Sequence, residues 1–422
     1  MSTTEPDNKA TILDYLNEDC WMAVFSYIPV KYVIKSERVS DRWQELVLKY
    51  LRRLRIAIRY PLNWLSFCDD DYGIDGTYGN YYLGDNEVVV VLNKRAADYL
   101  SFARWTSKLG ASVVSTYCAT IHNMETIGEN CPNLETLEIF PESEENIPTI
   151  HHENFKWLRR LYFQKYNCVS DVYISSFIAN NSVLEELEIN NNEIVTGKCL
   201  LNIKSEALKS LMFKQCRKLK MCNLLDTASR HNLTKLELID VPYNIYENIH
   251  LILNKLPNLE HLRVLDEVMD CDHFFEAVCR LSKLKFLVVM YEATDTNLED
   301  MTRCCKDLTI LELGDCSTVS SRGMEAVIRN VGARITRLGI PKSKYLEDDD
   351  VIACVRGCPN LMFLDLSGCL RLREGMLIGA DEARRRMRAQ RSLKVVVEDT
   401  FLHFDEDTVF YRVILCYQAV TS

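Results

Sequence analysis

The sequence lacks any long hydrophobic run, because its longest aliphatic stretch extends only from Val88 to Leu92. A helix needs about 20 apolar residues to cross a bilayer, so we expect no membrane-spanning segment and no membrane partner. Residues 1–11 are polar and acidic, which is unlike a secretory signal. Together with 17 scattered cysteines, these features predict a soluble cytoplasmic or nuclear protein with reduced thiols.

An excess of positive charge is also lacking. The chain has 60 acidic and 50 basic residues and a net charge of -10. Nucleic-acid-binding domains are usually basic, so we expect no nucleic-acid partner. One local exception is the arginine-rich run 384–391, which contains Arg384, Arg385, Arg386, Arg388 and Arg391. This run is either a solvated helix face or a targeting or anion-binding segment.

The usual signatures of catalysis are missing as well. We find no phosphate-binding glycine loop, no Cys-x-x-Cys pair and no Gly-x-Ser-x-Gly elbow. The Asp- and Gly-rich segment 69–86 lacks the terminal Glu of an EF-hand, so an exposed loop is favoured over a calcium site. Cys354 and Cys358 are four residues apart, which favours packing over metal binding. The sequence therefore predicts a protein without catalytic residues, metal or cofactor.

One short apolar pattern is abundant, and it recurs ten times. The pattern is apolar-x-x-Leu-x-apolar, and successive copies begin 24–27 residues apart. Their first residues are Leu134, Leu158, Leu184, Leu208, Leu233, Leu259, Leu284, Leu308, Ile335 and Leu361. The period resembles that of leucine-rich repeats, which is about 20–29 residues. Each copy is too small to bury its own apolar side, so we expect an α/β fold, a curved leucine-rich-repeat solenoid with a strand and a helix per repeat.

Leucine-rich repeats carry Asn or Cys just after the strand, where a buried polar atom satisfies the turning backbone. Four repeats have such a residue: Asn192, Cys216, Cys316 and Cys369. Four others do not: Tyr166, Val241, Glu267 and Glu292. The sequence therefore predicts an incomplete ladder of polar side chains along the solenoid.

Residues 12–51 have a different pattern, with three short helical stretches. The first carries Trp21, Val24, Phe25 and Ile28 on one stripe, begins at an acidic turn and ends at Pro29. The third begins at a Ser-Asp pair typical of a helix N-cap. Three helices in about 40 residues form a poor independent core. This apolar surface is therefore covered either by the first repeats, as a solenoid cap, or by another chain.

The same stretch resembles an F-box. The match is carried by Leu16, Glu18, Val24-Phe25, Tyr27-Ile28, Val33, Val39 and Trp43. Asn17, Tyr32 and Ser40 depart from that family's pattern, which has Pro, Asp and Cys there. F-box proteins with leucine-rich repeats are substrate receptors of cullin-type ubiquitin ligases, so the resemblance implies that this stretch binds a Skp-type adaptor. The adaptor-binding residues expected from it are Leu16, Asn17, Glu18, Trp21, Val24, Phe25, Ile28, Pro29, Val33, Val39 and Trp43.

These patterns divide the chain into five parts. Residues 1–11 are expected to be disordered, and residues 12–51 form the F-box. Residues 52–112 are a linker and N-terminal cap, and residues 113–400 are the repeats. Residues 401–422 are rich in β-branched and aromatic side chains and are expected to add a closing strand.

The strand alternation also predicts which side chains face outward on the concave side. The middle outward positions include Glu188, Glu237 and Glu312, and five of the ten are acidic, which favours a substrate with a basic segment. Leu-Glu-Leu is, however, a common filling of this repeat, and neighbouring columns bring the charge close to neutral. A second feature is apolar and comprises Phe286, Val288, Met290, Tyr291 and Ile310. Apolar clusters of this kind mark binding sites, so we expect substrate contacts there.

Three functions are compatible with the sequence. The first is the substrate-recognition subunit of an SCF-type ubiquitin ligase, with a Skp-type adaptor, through it a cullin/RING ligase, and a protein substrate as partners. The second is a leucine-rich-repeat scaffold or inhibitor whose N-terminal helices only cap the solenoid. The third, an enzyme built on a solenoid, has no motif in its favour.

Overall fold

A computed structural model describes most of the chain. The described residues are 15–28, 32–33, 36, 39–59, 87–91, 107–119, 124–139, 154–164, 169–269, 273–387, 392–398 and 413–416. The chain forms two compact units, Met1–Tyr166 with Ser176–Leu184, and Asn167–Ser175 with Glu185–Ser422. Within the described ranges, no helix is long and apolar enough to cross a membrane.

The described helices are short. They are α1 (Glu18–Ser26), α2 (Asp41–Arg52), α3 (Met124–Asn130), α4 (Asp171–Ile178), α5 (Met221–Arg230), α6 (Tyr243–Glu247), α7 (Ile249–Leu253), α8 (Phe274–Val278), α9 (Asp295–Cys304), α10 (Ser321–Val331), α11 (Asp348–Gly357) and α12 (Glu374–Arg386). Two 3₁₀ helices span Gly110–Ser112 and Lys198–Asn202.

Strands alternate with these helices. They are β1 (Arg55–Arg59), β2 (Glu87–Val91), β3 (Val113–Ala119), β4 (Thr136–Ile139), β5 (Arg160–Phe163), β6 (Glu186–Asn190), β7 (Ser210–Lys214), β8 (Lys235–Ile239), β9 (His261–Met269), β10 (Phe286–Glu292), β11 (Ile310–Asp315), β12 (Arg337–Gly339), β13 (Phe363–Asp365), β14 (Leu393–Val396) and β15 (Val413–Cys416).

The first unit contains a parallel sheet whose strand order is β2-β1-β3-β4-β5. Strand β3 begins at Val113, the first residue of the segment 113–400 that the sequence assigned to the repeats. Helices α1 and α2 belong to this unit, and their shared core also contains Leu109, just before the 3₁₀ turn that leads into β3. Arg55 at the start of β1 forms an ion pair with Glu135, with 3.0 Å between Nη2 and Oε2.

In the second unit, strands β6 to β15 follow one another in sequence order. Neighbouring strands are parallel, and the second Leu of each repeat pairs with its counterpart in the next. The resulting buried column is Leu187, Leu211, Leu236, Leu262, Leu287, Leu311, Leu338 and Leu364. Burying one such side chain contributes about 1.5–3 kcal/mol. The prediction of a leucine-rich-repeat-like α/β fold with a parallel sheet is therefore confirmed.

The regular scheme of one α-helix per repeat holds only in part. After β6 the chain forms the 3₁₀ helix Lys198–Asn202, which follows Gly197 in the left-handed region with a φ of 84°. After β8 it forms two five-residue helices, α6 and α7. A 3₁₀ helix rises faster per residue than an α-helix, so the same connection is spanned by fewer helical residues.

The predicted polar ladder after the strands is present. Asn192 is fully buried, its Nδ2 donates to the carbonyl of Val169, and its Oδ1 accepts from the amides of Ile194 and Val195. Cys216 and Cys369 are buried at the same position and donate to the carbonyls of Ile189 and Ile340. These contacts satisfy backbone groups that turn away from the sheet.

The arginine-rich run departs from a purely solvated face. Arg384 is 2% exposed, and its Nη1 donates to the carbonyl of Pro359. Arg385 and Arg386 pair with carboxylates one turn earlier in α12. Arg388, Arg391 and the Asp- and Gly-rich segment 69–86 lie outside the described residues, as do Pro29 and the expected disordered residues 1–11.

Candidate functional site

Helices α1 and α2 pack through an aromatic core. Phe25 is fully buried, and Trp21 and Val33 are 6% and 1% exposed. The Trp43 ring meets Trp21 and Phe25 edge-on, with centroid distances of 5.2 and 5.4 Å. The Trp43 indole nitrogen donates to Ser36 Oγ at 3.0 Å. Of the predicted stripe, Trp21 and Phe25 therefore hold the two helices together and Ile28 is half-buried against them, whereas Val24 is exposed.

Two of the three residues that depart from the F-box pattern, Asn17 and Ser40, act as helix caps. Asn17 Oδ1 accepts from the amide of Cys20 at the start of α1, and Ser40 Oγ accepts from the amide of Trp43 at the start of α2. Glu18 in the first turn of α1 pairs with Lys49 of α2, with 3.0 Å between Nζ and Oε2. Helix caps and first-turn acids of this kind satisfy free amide groups and suit the helix dipole.

The outward side of α1 carries no charge along a broad strip. Cys20, Ala23, Val24 and Tyr27 are all exposed, and Tyr27 is 89% exposed. At 100° per residue these four positions occupy one continuous arc of about 100°, opposite the buried Trp21–Phe25 stripe. A helix that faces only water normally has charged or polar residues on that side. We call Cys20, Ala23, Val24 and Tyr27 the α1 face.

Helix α2 differs from α1, because its exposed side has the charged residues that are usual for a helix that faces water. Its exposed positions include Asp41, Arg42, Glu45 and Arg52. The lack of charge on the α1 face is therefore a property of that helix and not of the whole N-terminal segment. An uncharged, weakly apolar helix face is suited to covering by another chain.

The remaining predicted adaptor-binding residues are divided between surface and interior. Leu16, Ile28 and Trp43 are half-buried against the aromatic core, while Val39 is 71% exposed. The sequence prediction missed Cys20 and Ala23 as surface residues of α1. The signal in the sequence was their helical spacing from Val24 and Tyr27, with no charged residue among the four.

In the second unit, the predicted acidic row is in register but largely covered. Glu188 pairs with Met212 across the strands, and Glu237 lies between Met212 and Arg263. Glu188 and Glu237 are 2% and 4% exposed. Glu312 forms an ion pair with Arg337, with 2.7 Å between Oε1 and Nη2. These carboxylates therefore offer little free charge to a basic ligand.

Glu237 shows how strongly one of them is held. Burial disfavours its charged form, but the adjacent side chains of His261 and Lys235 outweigh that effect and lower the pKa of the carboxyl group to about 2. The contacts are 3.0 Å from Oε1 to His261 Nε2 and 2.9 Å to Lys235 Nζ. At neutral pH this carboxylate is ionised, and its negative charge is already paired with side chains of the same chain.

The apolar cluster is a smaller surface than the sequence predicted. Phe286, Met290 and Ile310 are half-buried, while Val288 is 8% exposed because strands flank it on both sides. Tyr291 does not belong to this surface. It is 2% exposed, stacks on Phe274 at 4.1 Å and donates its hydroxyl to the carbonyl of Tyr246. Alternation along β10 places Tyr291 on the core side with Leu287 and Val289.

The first outward position of each strand forms a different row. Consecutive strands bring these residues into direct register, one from each of β8 to β14. We call them the cation–aromatic row: Lys235, His261, Phe286, Ile310, Arg337, Phe363 and Lys394. His261 stacks on Phe286 with 3.8 Å between ring centroids, and the Arg337 guanidinium lies 4.2 Å from the centroid of Phe363. This row was not singled out from the sequence.

Across the residues that the structure describes, no group of three or more His, Cys, Asp or Glu side chains could hold a metal ion. The described cysteines are free thiols, and burial raises the pKa of Cys131 and Cys216 to about 12. Such thiols are protonated at neutral pH and are poor nucleophiles.

No protein-family model matches the chain. Among solved structures it is similar to a chain of the yeast Rad7–Elc1 complex, with 13% identity over 77% of this chain and 88% of that chain and a TM-score of 0.44. It is also similar to a chain of the plant peptide hormone receptor RGFR1 in complex with RGF2, with 13% identity, 73% and 61% coverage and a TM-score of 0.36. A third similarity is to a chain of the TLR13–ssRNA13 complex, with 14% identity, 68% and 42% coverage and a TM-score of 0.34. The leucine-rich-repeat-like assignment rests on the repeat and register of this chain's own strands.

Proposed function

We propose that this protein is the substrate-recognition subunit of an SCF-type ubiquitin ligase that works in the cytoplasm or nucleus. In this proposal the α1 face, with Val39 and the half-buried Ile28 beside it, binds a Skp-type adaptor and through it a cullin/RING ligase. The outward strand face of the repeats holds a protein client. Phe25, Trp21 and Val33 shape the adaptor surface from within, because they have little or no exposed area of their own.

The observation that carries the proposal is the lack of charge on the α1 face. Val24 is 37% exposed and Tyr27 is 89% exposed, and no charged residue is among the four described residues of that face. The resemblance of residues 16–43 to an F-box supplies the identity of the partner. Neither element alone would suffice, since an exposed apolar helix face suits many partners.

The proposed mechanism is proximity. A receptor that holds a client beside the ubiquitin carrier raises the effective concentration of the client's lysines, without any catalytic group of its own. This role requires two separate surfaces on one chain. The α1 face and the outward strand face meet that requirement, because they lie on different elements, in residues 18–27 and 186–396.

A second candidate is a leucine-rich-repeat scaffold or inhibitor with no role in ubiquitin transfer. It is favoured by Leu109, which is 2% exposed and belongs to the same core as Trp21 and Phe25. In this alternative, α1 and α2 only cap the repeats of the first unit. The two candidates differ in whether anything binds the α1 face.

Co-purification with a Skp-type adaptor separates them. We expect the wild-type chain to form a complex and Val24→Glu or Tyr27→Glu to lose it, because a charge would be buried without a partner. The matched control is Val172→Glu, which introduces the same charge at a 79% exposed valine of α4. Circular dichroism verifies that the variants are folded. Failure of the wild type to bind the adaptor, or equal binding by Val24→Glu, would favour the scaffold.

A further inference from the structure

We propose that the cation–aromatic row binds an extended acidic segment of the client protein with apolar residues at its centre. This inference rests on the proposed function, in which the outward strand face holds the client. It reverses the preference for a basic client that the acidic row suggested from the sequence alone.

In the ion pairs of this surface, the basic side chains are more exposed than the acidic ones. The Lys235 side chain is 37% exposed, whereas that of Glu237 beneath it is 6% exposed. The Arg337 and Glu312 side chains are 42% and 25% exposed. An approaching chain therefore meets cations before it meets carboxylates. Pairs with the acid buried and the base outside present a positive outer layer.

One end of the row carries a positive charge, that of Lys394. Lys394 is exposed and forms no ion pair with any residue that the structure describes. Its Nζ lies 5.9 Å from the centroid of Phe363, on which Arg337 also rests. Two cations share one aromatic ring there, and an acidic side chain would be attracted to both.

The charge of this surface differs from that of the whole chain. The two outward columns of β8–β14 contain four fixed cations and three acids: Lys235, Arg263, Arg337 and Lys394 against Glu237, Glu312 and Asp365. The whole chain has a net charge of -10. The surface is therefore locally basic in an acidic protein. The acidic residues Glu292 and Asp315 lie five to six residues along their strands, beyond one Debye length of about 8 Å.

The dimensions and residue order of the row set the length and pattern of the ligand. Seven strands at about 4.8 Å spacing give a row of about 29 Å, which an extended peptide of about nine residues spans. Phe286 and Ile310 are half-buried, adjacent in register and flanked by His261 and Arg337. The matching segment is therefore acidic at both ends and apolar in the middle.

A single-stranded nucleic acid is the other polymer that basic and aromatic side chains can bind. It is disfavoured here because His261 already stacks on Phe286 and Arg337 covers Phe363, so that bases would have to displace bonded partners. An acidic peptide places its charges only at the ends of the row.

Fluorescence anisotropy with the full chain tests the inference. The probe is a labelled peptide of about nine residues with glutamates at both ends and leucine and phenylalanine between them. Two further probes are the same peptide with lysines in place of glutamates and a single-stranded oligonucleotide. We expect the acidic peptide to bind best and its affinity to fall as salt is added.

Two substitutions locate the site. We expect Lys394→Glu to weaken binding of the acidic peptide roughly tenfold and Lys394→Ala to weaken it less, because charge reversal adds repulsion. Lys255→Glu is the matched control, since Lys255 is exposed and follows α7, away from the strand face. Equal binding by Lys394→Glu and Lys255→Glu, equal or better binding of the lysine peptide, or displacement by the oligonucleotide would each overturn the inference.

The same samples keep this inference distinct from the proposed function. Lys394→Glu is expected to retain the Skp-type adaptor, and Val24→Glu is expected to retain the acidic peptide. If the wild type binds the peptide at this row but not the adaptor, the ligase role fails while the acidic-ligand site stands. If the wild type binds the adaptor but not the peptide, the ligase role stands and this site is refuted.

Discussion

The hydroxyl of Tyr246 lies 2.9 Å from the backbone nitrogen of Val241 and accepts its hydrogen bond. The same hydroxyl donates to the carbonyl of Leu265 at 3.1 Å. In other repeats a buried Asn, Cys or Ser satisfies the turn after the strand, as Ser343 does for the amides of Tyr345 and Leu346. In the Leu233 repeat an aromatic side chain from α6 performs this role, so an apolar valine is accommodated at the turn.

We expect Tyr246→Phe to lower the free energy of unfolding by about 1–3 kcal/mol, because it leaves the buried amide of Val241 without this partner, while the Leu265 carbonyl keeps its hydrogen bond from the Asp240 amide. The control is Tyr243→Phe in the same helix, since Tyr243 is 64% exposed and its hydroxyl can bond to water. Urea denaturation followed by circular dichroism measures both. Equal stability of the two variants would show that the Tyr246 hydroxyl does not support the turn.

This contact explains why the polar ladder was only partly predictable. Spacing from the strand identified Asn192, Cys216 and Cys369, because their position in the repeat is constant. It also identified Val241 as a gap. The compensating hydroxyl comes from a side chain five residues later, and its direction depends on the short helix α6. A pattern of residue types at fixed spacing cannot contain that information.

Asn192 offers a stronger test of the ladder itself. Its amide group makes two hydrogen bonds to backbone amides of its own turn and one to the carbonyl of Val169, and the side chain has no exposed surface. We expect Asn192→Ala to cost about 2–4 kcal/mol of unfolding free energy. Asn244→Ala, at an exposed position of α6, is the control and is expected to change stability by less than about 0.5 kcal/mol. A small effect at Asn192 would mean that water replaces the amide group.

Left-handed backbone residues also recur just after the strands, at Asn191, Gln215, Asp240, Lys342 and Gly368. We expect Gly368→Ala to cost about 1–2 kcal/mol, because its φ is 71° and an added Cβ would lie 3.2 Å from Lys342 Cγ. Gly375→Ala is the control, since Gly375 lies inside α12 and its Cβ would meet only Asp348 Oδ2, at 3.3 Å. Alanine is the better helix former there, and a gain of about 0.5–1 kcal/mol is expected. Thermal unfolding that ranks the two variants in the opposite order would contradict this assignment.

Glu237 predicts a specific acid sensitivity. Its pKa is lowered from 4.5 to about 2 in the folded chain, so its charged form is favoured by folding. The resulting stability is fully present above about pH 4.5 and is lost as the pH falls towards 2, with an upper limit of about 3 kcal/mol. Glu237→Gln removes this contribution and leaves Lys235 and His261 without their shared partner. The difference in unfolding free energy between wild type and variant should therefore shrink as the pH is lowered from 6 to 3, and a difference that is constant with pH would refute the assignment.

The candidate adaptor surface shows a second limit of sequence reasoning. Helical spacing identified the stripe of Trp21 and Phe25, because apolar residues three and four apart share one side of a helix. Spacing does not tell whether such a stripe is covered by the same chain or by a partner. The structure places Phe25 inside the helix pair and leaves Val24 and Tyr27 outside. The exposed strip of Cys20, Ala23, Val24 and Tyr27 was therefore the informative one, since its lack of charge has no role in the chain's own core.

Cys20 allows the α1 face to be tested without a mutation. Cys20 and Cys222 are exposed on α1 and α5, whereas Cys131 and Cys216 are buried, and burial raises the pKa of these two thiols to about 12. Because the thiolate is the reactive form, iodoacetamide at neutral pH should modify Cys20 and Cys222 much faster than Cys131 and Cys216.

Peptide mass spectrometry measures the four rates in the free chain and after addition of a Skp-type adaptor. If the adaptor covers the α1 face, modification of Cys20 slows by roughly tenfold or more while Cys222 keeps its rate, because an interface excludes the reagent from one thiol only. Equal rates at Cys20 with and without a bound adaptor would place the adaptor elsewhere on the chain, and a parallel slowing at Cys222 would indicate a general loss of reactivity.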